Sequence, residues 1–276
     1  MKRPMPEALS PIAGFARAHD PDRFLCALFA PAERREAFFA LIGFNHELAR
    51  AREAARTPLI ALMRLQWWRD AVADAVAGKP PRRHEVAGPL QAAIAAGLLD
   101  AEALSAMADA REAEAEEEGM PTEAAFQAYL RGTAGGFAVA AGRLLGVAGP
   151  ALAELQAAGA AYGLAGVLRS VPALAGQGRS LLPGDVLATH GLTPEAAIAS
   201  PGSAAVRAVV AALAQAGLGQ AAGVRPGVPR GAIAAALPLV LARRDLRRQA
   251  RGRAVPAVRG LADRLAVIGA GLTGRV

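Results

Sequence analysis

Apolar residues recur at helical spacing along most of this chain, and no stretch sustains the alternation of β-branched and polar side chains that a half-buried strand needs. That pattern points to the all-α class. The clearest helix is expected from Pro58 to about Ala77. Thr57 can cap its first turn, Pro58 suits the first helical position, Gly78 can take the left-handed position past its end, and Pro80-Pro81 stop it. On a helical wheel Leu62, Leu65, Trp68, Val72 and Val76 share an arc of about 120°, enough for a core-facing stripe. Arg69 falls inside that arc, where a snorkelling side chain is expected in preference to a cavity-lining cation.

The preceding helix should run from near Pro31 to about Ala55 and bury Phe38, Leu41, Ile42 and Leu48. Asn45, Ala49 and Arg52 project from the same side. Polar groups in a buried stripe need partners or a wet cavity, so this helix is expected to border an internal pocket or to pack against another helix carrying matching polar groups. Further helices are expected near Leu104 to Glu118, Thr122 to Leu145 and Ala151 to Ser170. The first of these ends in an acidic run, Glu112 to Glu118, which could meet the arginines of the C-terminal run Arg243 to Arg248. In the last, Tyr162, Ala165 and Arg169 line up on one side. With no repeat and no long polar linker, the chain reads as a single domain over 1–276 with a short N-terminal extension at about 1–10.

Composition removes several function classes. A chain of 276 residues that is 53% hydrophobic and 20% charged can bury enough surface to offset its ordering entropy, which excludes disorder. Cys26 is the only cysteine, so there is neither an internal disulfide nor a thiolate zinc site, and its apolar setting is that of an inert core thiol. The four histidines show no metal-ligand spacing, although His46 follows Asn45 on the helix with the polar stripe. A net charge of +7 favours anionic partners, but no nucleic-acid-binding module accompanies it, so no nucleic acid is expected. Neither a signal peptide nor a bilayer-spanning segment is apparent, which sets the expectation of a cytoplasmic protein in peripheral contact with a membrane.

The ordered motifs Asp20-Pro-Asp-Arg23, Arg34 to Phe44, Leu65-Gln-Trp-Trp-Arg-Asp70, Tyr129, Val167-Leu-Arg169 and Gly178-Arg-Ser-Leu-Leu-Pro183 resemble the squalene/phytoene synthase family over nearly the whole chain. The resemblance implies an isoprenoid-synthase-like helical bundle around a central cavity. In active members two aspartate-rich motifs hold Mg²⁺, which neutralises a departing diphosphate. Here Ala49 and Arg50 occupy the leading positions of the first motif, leaving Glu53 at its far end, and Ser170 to Leu174 replace the second. Arginine in the first motif is expected to reverse the local charge, and Pro172 to interrupt the helix.

A narrower likeness runs through Phe44 to Ala49, Leu62 to Arg69 and Ala110-Arg-Glu112, which resemble the aspartate-poor branch containing the mitochondrial complex I assembly factor with a phytoene-synthase-like domain. It implies a non-catalytic protein that aids assembly of respiratory NADH dehydrogenase at the inner membrane by binding a partner subunit, an isoprenoid or an anionic lipid. The absence of a transit peptide fits a bacterial relative. The residues expected to line the cavity or bind an anion are Asn45, His46, Glu53, Tyr162, Arg169 and Arg179; Ala49, Arg50, Ser170 and Leu174 mark lost metal-ligand positions. No catalytic residue and no cofactor are expected. Two alternatives stand beside this reading: a Mg²⁺-dependent head-to-head prenyltransferase, with Glu47, Glu53 or the acidic run as substitute ligands, and a basic membrane-surface protein acting through Arg243 to Arg253.

Overall fold

Ser10, Asp20, Thr57, Asp100, Thr122, Thr193 and Ser203 each accept a backbone N–H from the first turn of a helix, so local side-chain chemistry sets many of the helix starts. The computed structural model describes residues 9–116, 119–256 and 258–276. Helices α1 (Pro11–His19), α2 (Pro21–Ala27), α3 (Ala32–Glu53), α4 (Pro58–Val76), α5 (Ala87–Ala95) and α6 (Ala101–Ala110) come first. A short 3-10 turn, Glu112–Glu114, precedes α7 (Glu123–Leu130), which passes through a π-helical turn, Arg131–Gly135, into α8 (Gly136–Leu144). Then follow α9 (Ala151–Ala175), α10 (Gly184–Thr189), α11 (Pro194–Ala199), α12 (Ala204–Gly223), α13 (Ile233–Ala236), α14 (Pro238–Ala250) and α15 (Leu261–Thr273). Among the described residues there is no strand.

The two largest apolar cores among the described residues share α9 as a common wall. One gathers Phe38, Leu41, Phe44 and Leu48 of α3 with Leu65 and Trp68 of α4, Leu104 of α6 and Leu155 at the start of α9. The other joins Phe126, Leu164, Leu168, Val209 and Leu246. Each fully buried leucine or phenylalanine contributes about 1.5–3 kcal/mol, so these clusters dominate the favourable side of folding. Helices α9 and α12 are both long and apolar enough to cross a membrane by length and composition; here each packs against the other and against α14.

Capping at Thr57 and the left-handed Gly78 bracket α4 as expected, but its buried face is Ala61, Leu65, Trp68, Val72 and Ala75. Leu62 and Val76 point outward, one register step from the expected stripe, because α3, α5 and α6 close on the alanine side. Arg69 bonds Asp109 at 2.6 Å and also Glu112, so it is an ion-paired residue and not a snorkelling one. The helix expected to reach Glu118 stops at Ala110, where Arg111 turns the chain into the 3-10 segment; Glu117 and Glu118 lie outside the described residues. Residues 1–8 of the expected N-terminal extension also lie outside them, and Ser10 is already the cap of α1. Pro172 does not interrupt α9, which continues to Ala175; it sits exposed close to the helix end, where the missing N–H removes a single hydrogen bond of the ladder. Among the described residues the acidic segment makes no ion pair with the C-terminal arginines; Glu112 pairs with Arg69, and Glu114 with Arg111 and Arg179. Arg243 bonds the carbonyls of Ala221 and Val224, and Arg244 and Arg248 pair with Asp263.

Candidate functional site

Along α9, residues Tyr162, Gly163, Gly166, Arg169, Ser170 and Leu174 fall on one face by the helical repeat, and that face borders a cavity of about 740 Å³. The start of α2 closes one side. Asp20 caps this helix, its Oδ1 accepting the Arg23 N–H at 2.9 Å while Oδ2 takes the Arg23 guanidinium at 2.9 Å. Arg23 in turn lies over the rings of Phe137 and Tyr162, at 4.3 and 4.8 Å. Ala49 and Glu53 enter from α3, and Tyr129 and Thr133 from α7 and the π-helical turn. Thr133 Oγ1 donates to the Tyr129 carbonyl at 2.7 Å, occupying an acceptor that the widened turn frees.

Buried ion clusters stand at both ends. At one, the Tyr162 hydroxyl donates to Asp22 at 3.3 Å and Arg259 bonds the same carboxylate at 2.9 Å. Arg259 also reaches Asp245 at 2.6 Å, which Arg169 approaches at 3.5 Å and Arg248 bonds at 3.1 Å. At the other, Glu114 accepts from Tyr129 at 2.8 Å, Arg111 at 2.6 Å and Arg179 at 3.4 Å. Burial, reinforced by Glu114, pushes the Tyr129 hydroxyl above the usual phenol range. Burial does the same to Tyr162, with Asp20 and Asp22 adding to it, so both hydroxyls remain protonated donors.

Of the residues expected here, Glu53, Tyr162, Arg169 and Arg179 line the cavity. Asn45 and His46 do not. Asn45 is buried among the packing residues of α3, and His46 stacks on His19 with ring centroids 4.4 Å apart. Ala49, Ser170 and Leu174 line the cavity, with Ser170 Oγ donating back to the Gly166 carbonyl at 3.0 Å. Arg50 lies outside it with its guanidinium 4.0 Å from Glu47, so the expected charge reversal does not come from that residue. The cavity's positive character comes instead from seven arginines facing four carboxylates, Asp20, Asp22, Glu53 and Glu114. Asp22, Arg23, Arg111, Glu114 and Arg259 have roles here that the sequence reading did not assign. The Asp20-Pro-Asp-Arg23 motif was a usable signal for the first pair; Arg259 carries none, since it meets Asp22 across 237 residues.

A model of the family described as squalene/phytoene synthase matches residues 16–265. The chain belongs to the squalene/phytoene synthase family. Solved structures of this kind share its fold: a squalene synthase from Alicyclobacillus acidocaldarius superposes with a TM-score of 0.68 at 19% identity, covering 88% of this chain and 94% of that one. A dehydrosqualene synthase in complex with ligand gives 0.74 at 14% identity, covering 95% and 94%. Among curated relatives, NADH dehydrogenase (ubiquinone) complex I, assembly factor 6 of Homo sapiens is 30% identical over 183 residues, 65% of this chain and 54% of that protein. The Drosophila melanogaster homolog is 30% identical over 199 residues, with coverages of 66% and 56%. The chain therefore spans about half the length of these relatives.

For this family the fold implies magnesium, and the donor set does not fit it. Among the described residues no group of three or more His, Cys, Asp or Glu could hold a metal ion. Three of the four cavity carboxylates are engaged by guanidinium groups, Asp20 by Arg23, Asp22 by Arg259 and Glu114 by Arg111 and Arg179, which leaves Glu53 as the remaining acid. A hard divalent cation needs several converging oxygen anions, and hydrocarbon or hydroxyl at Ala49, Leu174 and Ser170 does not supply them.

Proposed function

We propose that this protein is a non-catalytic member of the squalene/phytoene synthase family that aids assembly of respiratory NADH dehydrogenase, its cavity retaining an anionic amphiphile without ionising it. The observation that carries this reading is the arginine capture of the cavity carboxylates, which removes the ligands a diphosphate-bound metal would use. The names of the curated relatives support the assembly role. Arg179 Nη1 and Arg259 Nη2 are buried without a hydrogen-bond partner among the described residues, and a buried unpaired donor is costly, so an anionic head group at either end would satisfy them. The protein would act in the cytoplasm, at the face of the inner membrane where the complex is built, on a complex subunit or on the amphiphile itself.

The test has two arms. Purified protein incubated with farnesyl or geranylgeranyl diphosphate and Mg²⁺ should release no pyrophosphate above a no-protein control; sustained release overturns the non-catalytic reading and restores the prenyltransferase. A strain lacking the gene should lose in-gel NADH dehydrogenase activity of the assembled complex and regain it with the intact gene. Unchanged assembly in the deletion strain overturns the assembly role.

A further inference from the structure

Helix α15 turns an apolar stripe to solvent. Its inner side buries Asp263 and Val267 and sets Gly271 against the Phe29 ring. On the opposite side Leu261, Leu265 and Leu272 are 72%, 54% and 67% exposed, and at about 100° per residue they fall within an arc of about 40°. Val258, 74% exposed, extends the stripe from the preceding segment. An ordinary surface helix carries its leucines inward, so this arrangement leaves an unpartnered face.

Charge identifies what covers it. Residues 247–276 hold seven arginines and one aspartate, whereas the rest of the chain holds 24 basic and 23 acidic residues; Arg248 and Arg259 pair with acids of the fold, and the other five have no ion pair among the described residues, so the segment that carries this helix is left with excess positive charge. The one acid, Asp263, is buried and neutralised by Arg244 and Arg248. Arg264 and Arg275 remain exposed beside the leucines, with no ion pair among the described residues. A leucine stripe beside unpaired arginines matches an anionic bilayer surface, which offers acyl chains and phosphate together. The stripe is also continuous with the cavity, since Val258 and Arg264 belong to its lining.

We infer that α15 is a membrane-docking helix that lays Val258, Leu261, Leu265 and Leu272 into the interface of an anionic bilayer and sets the mouth of the cavity against it. This surface differs from the Arg243 to Arg253 run expected from the sequence, because Arg243, Arg244 and Arg248 are occupied within the fold. The docking surface follows from α15 and its charge alone and holds whether or not the cavity is catalytic.

Co-flotation of the full chain with vesicles tests it. Wild type should bind vesicles of phosphatidylcholine with about a third phosphatidylglycerol at least about tenfold better than phosphatidylcholine alone, and the difference should shrink in high salt. Leu261→Gln/Leu265→Gln/Leu272→Gln should lower that binding by at least about tenfold while leaving the far-UV circular dichroism unchanged, since the side chains are exposed. Arg264→Gln/Arg275→Gln should weaken binding to anionic vesicles and flatten the salt dependence. Leu59→Gln/Met63→Gln, on the exposed side of α4, should bind like wild type and so exclude general stickiness. Wild-type binding by the triple-leucine variant overturns the inference. So does a concentration-dependent dimer that this variant abolishes in a chain that ignores vesicles, which would assign the stripe to a second copy.

Discussion

Glu114 shows how one side chain decides what a cavity can do. It is almost wholly buried, and it answers two guanidinium groups and a phenol at once. Although burial works against the charge of Arg111, the Glu114 carboxylate beside it holds it protonated. Replacing the carboxylate leaves two arginines buried without their anion, so Glu114→Ala should lose about 3–5 kcal/mol, read as a lower denaturant midpoint. His46 is the opposite case. Burial, together with the neighbouring His19 and Arg50, lowers its pKa from 6.5 to about 4. Between those values the unfolded chain takes up a proton that the folded chain refuses. The stability from keeping this ring neutral is therefore full above pH 6.5 and falls as pH drops toward 4. After allowance for its partial exposure the loss is about 1 kcal/mol, and His46→Phe should flatten that part of the stability profile.

At the scale of elements, close approach between α9 and the π-helical turn shapes the cavity wall. A methyl at Gly159 would sit 2.7 Å from Ala138 Cβ and 2.9 Å from Gly135 Cα, and would also press on the Ala134 carbonyl. Backbone cannot yield there as a side-chain tip can. Gly159→Ala should cost about 1–3 kcal/mol and lower the melting temperature by several degrees. Gly217→Ala is the matched control: its new methyl meets chiefly the tip of Leu164, which can change rotamer, and the gain in helix propensity of about 1 kcal/mol offsets the crowding. Thermal scans of the two variants should therefore separate, with Gly217→Ala near wild type. The partner that Gly159 admits was not legible in the sequence, because helical spacing identifies a face and not its neighbour.

For the whole molecule, long-range ion pairs tie the two ends of the chain together. Arg259 bridges Asp22 and Asp245, and Asp245 also serves Arg169 and Arg248. Helix α9 contributes to both apolar cores, so neither core can come apart without exposing the other. Fluorescence of Trp67 and Trp68, both on α4, should thus unfold in one transition coincident with far-UV circular dichroism. Two separated transitions would show that the cores are independent units.

The order of motifs from Asp20 to Pro183 and the caps at Thr57 and Gly78 were legible because they are local. A cap is a hydrogen bond within one turn, and its spacing is written in the chain. Ala49, Ser170 and Leu174, picked out in the same local way, residue against motif, do line the cavity. Tertiary structure alone decided that Ala61 and Ala75, not Leu62 and Val76, face the core, and that Arg50 stays outside the cavity while Arg259 enters it. Those outcomes depend on which neighbours arrive at each helix face. A guanidinium and a carboxylate separated by hundreds of residues become partners only when packing brings them within a few ångströms and out of water.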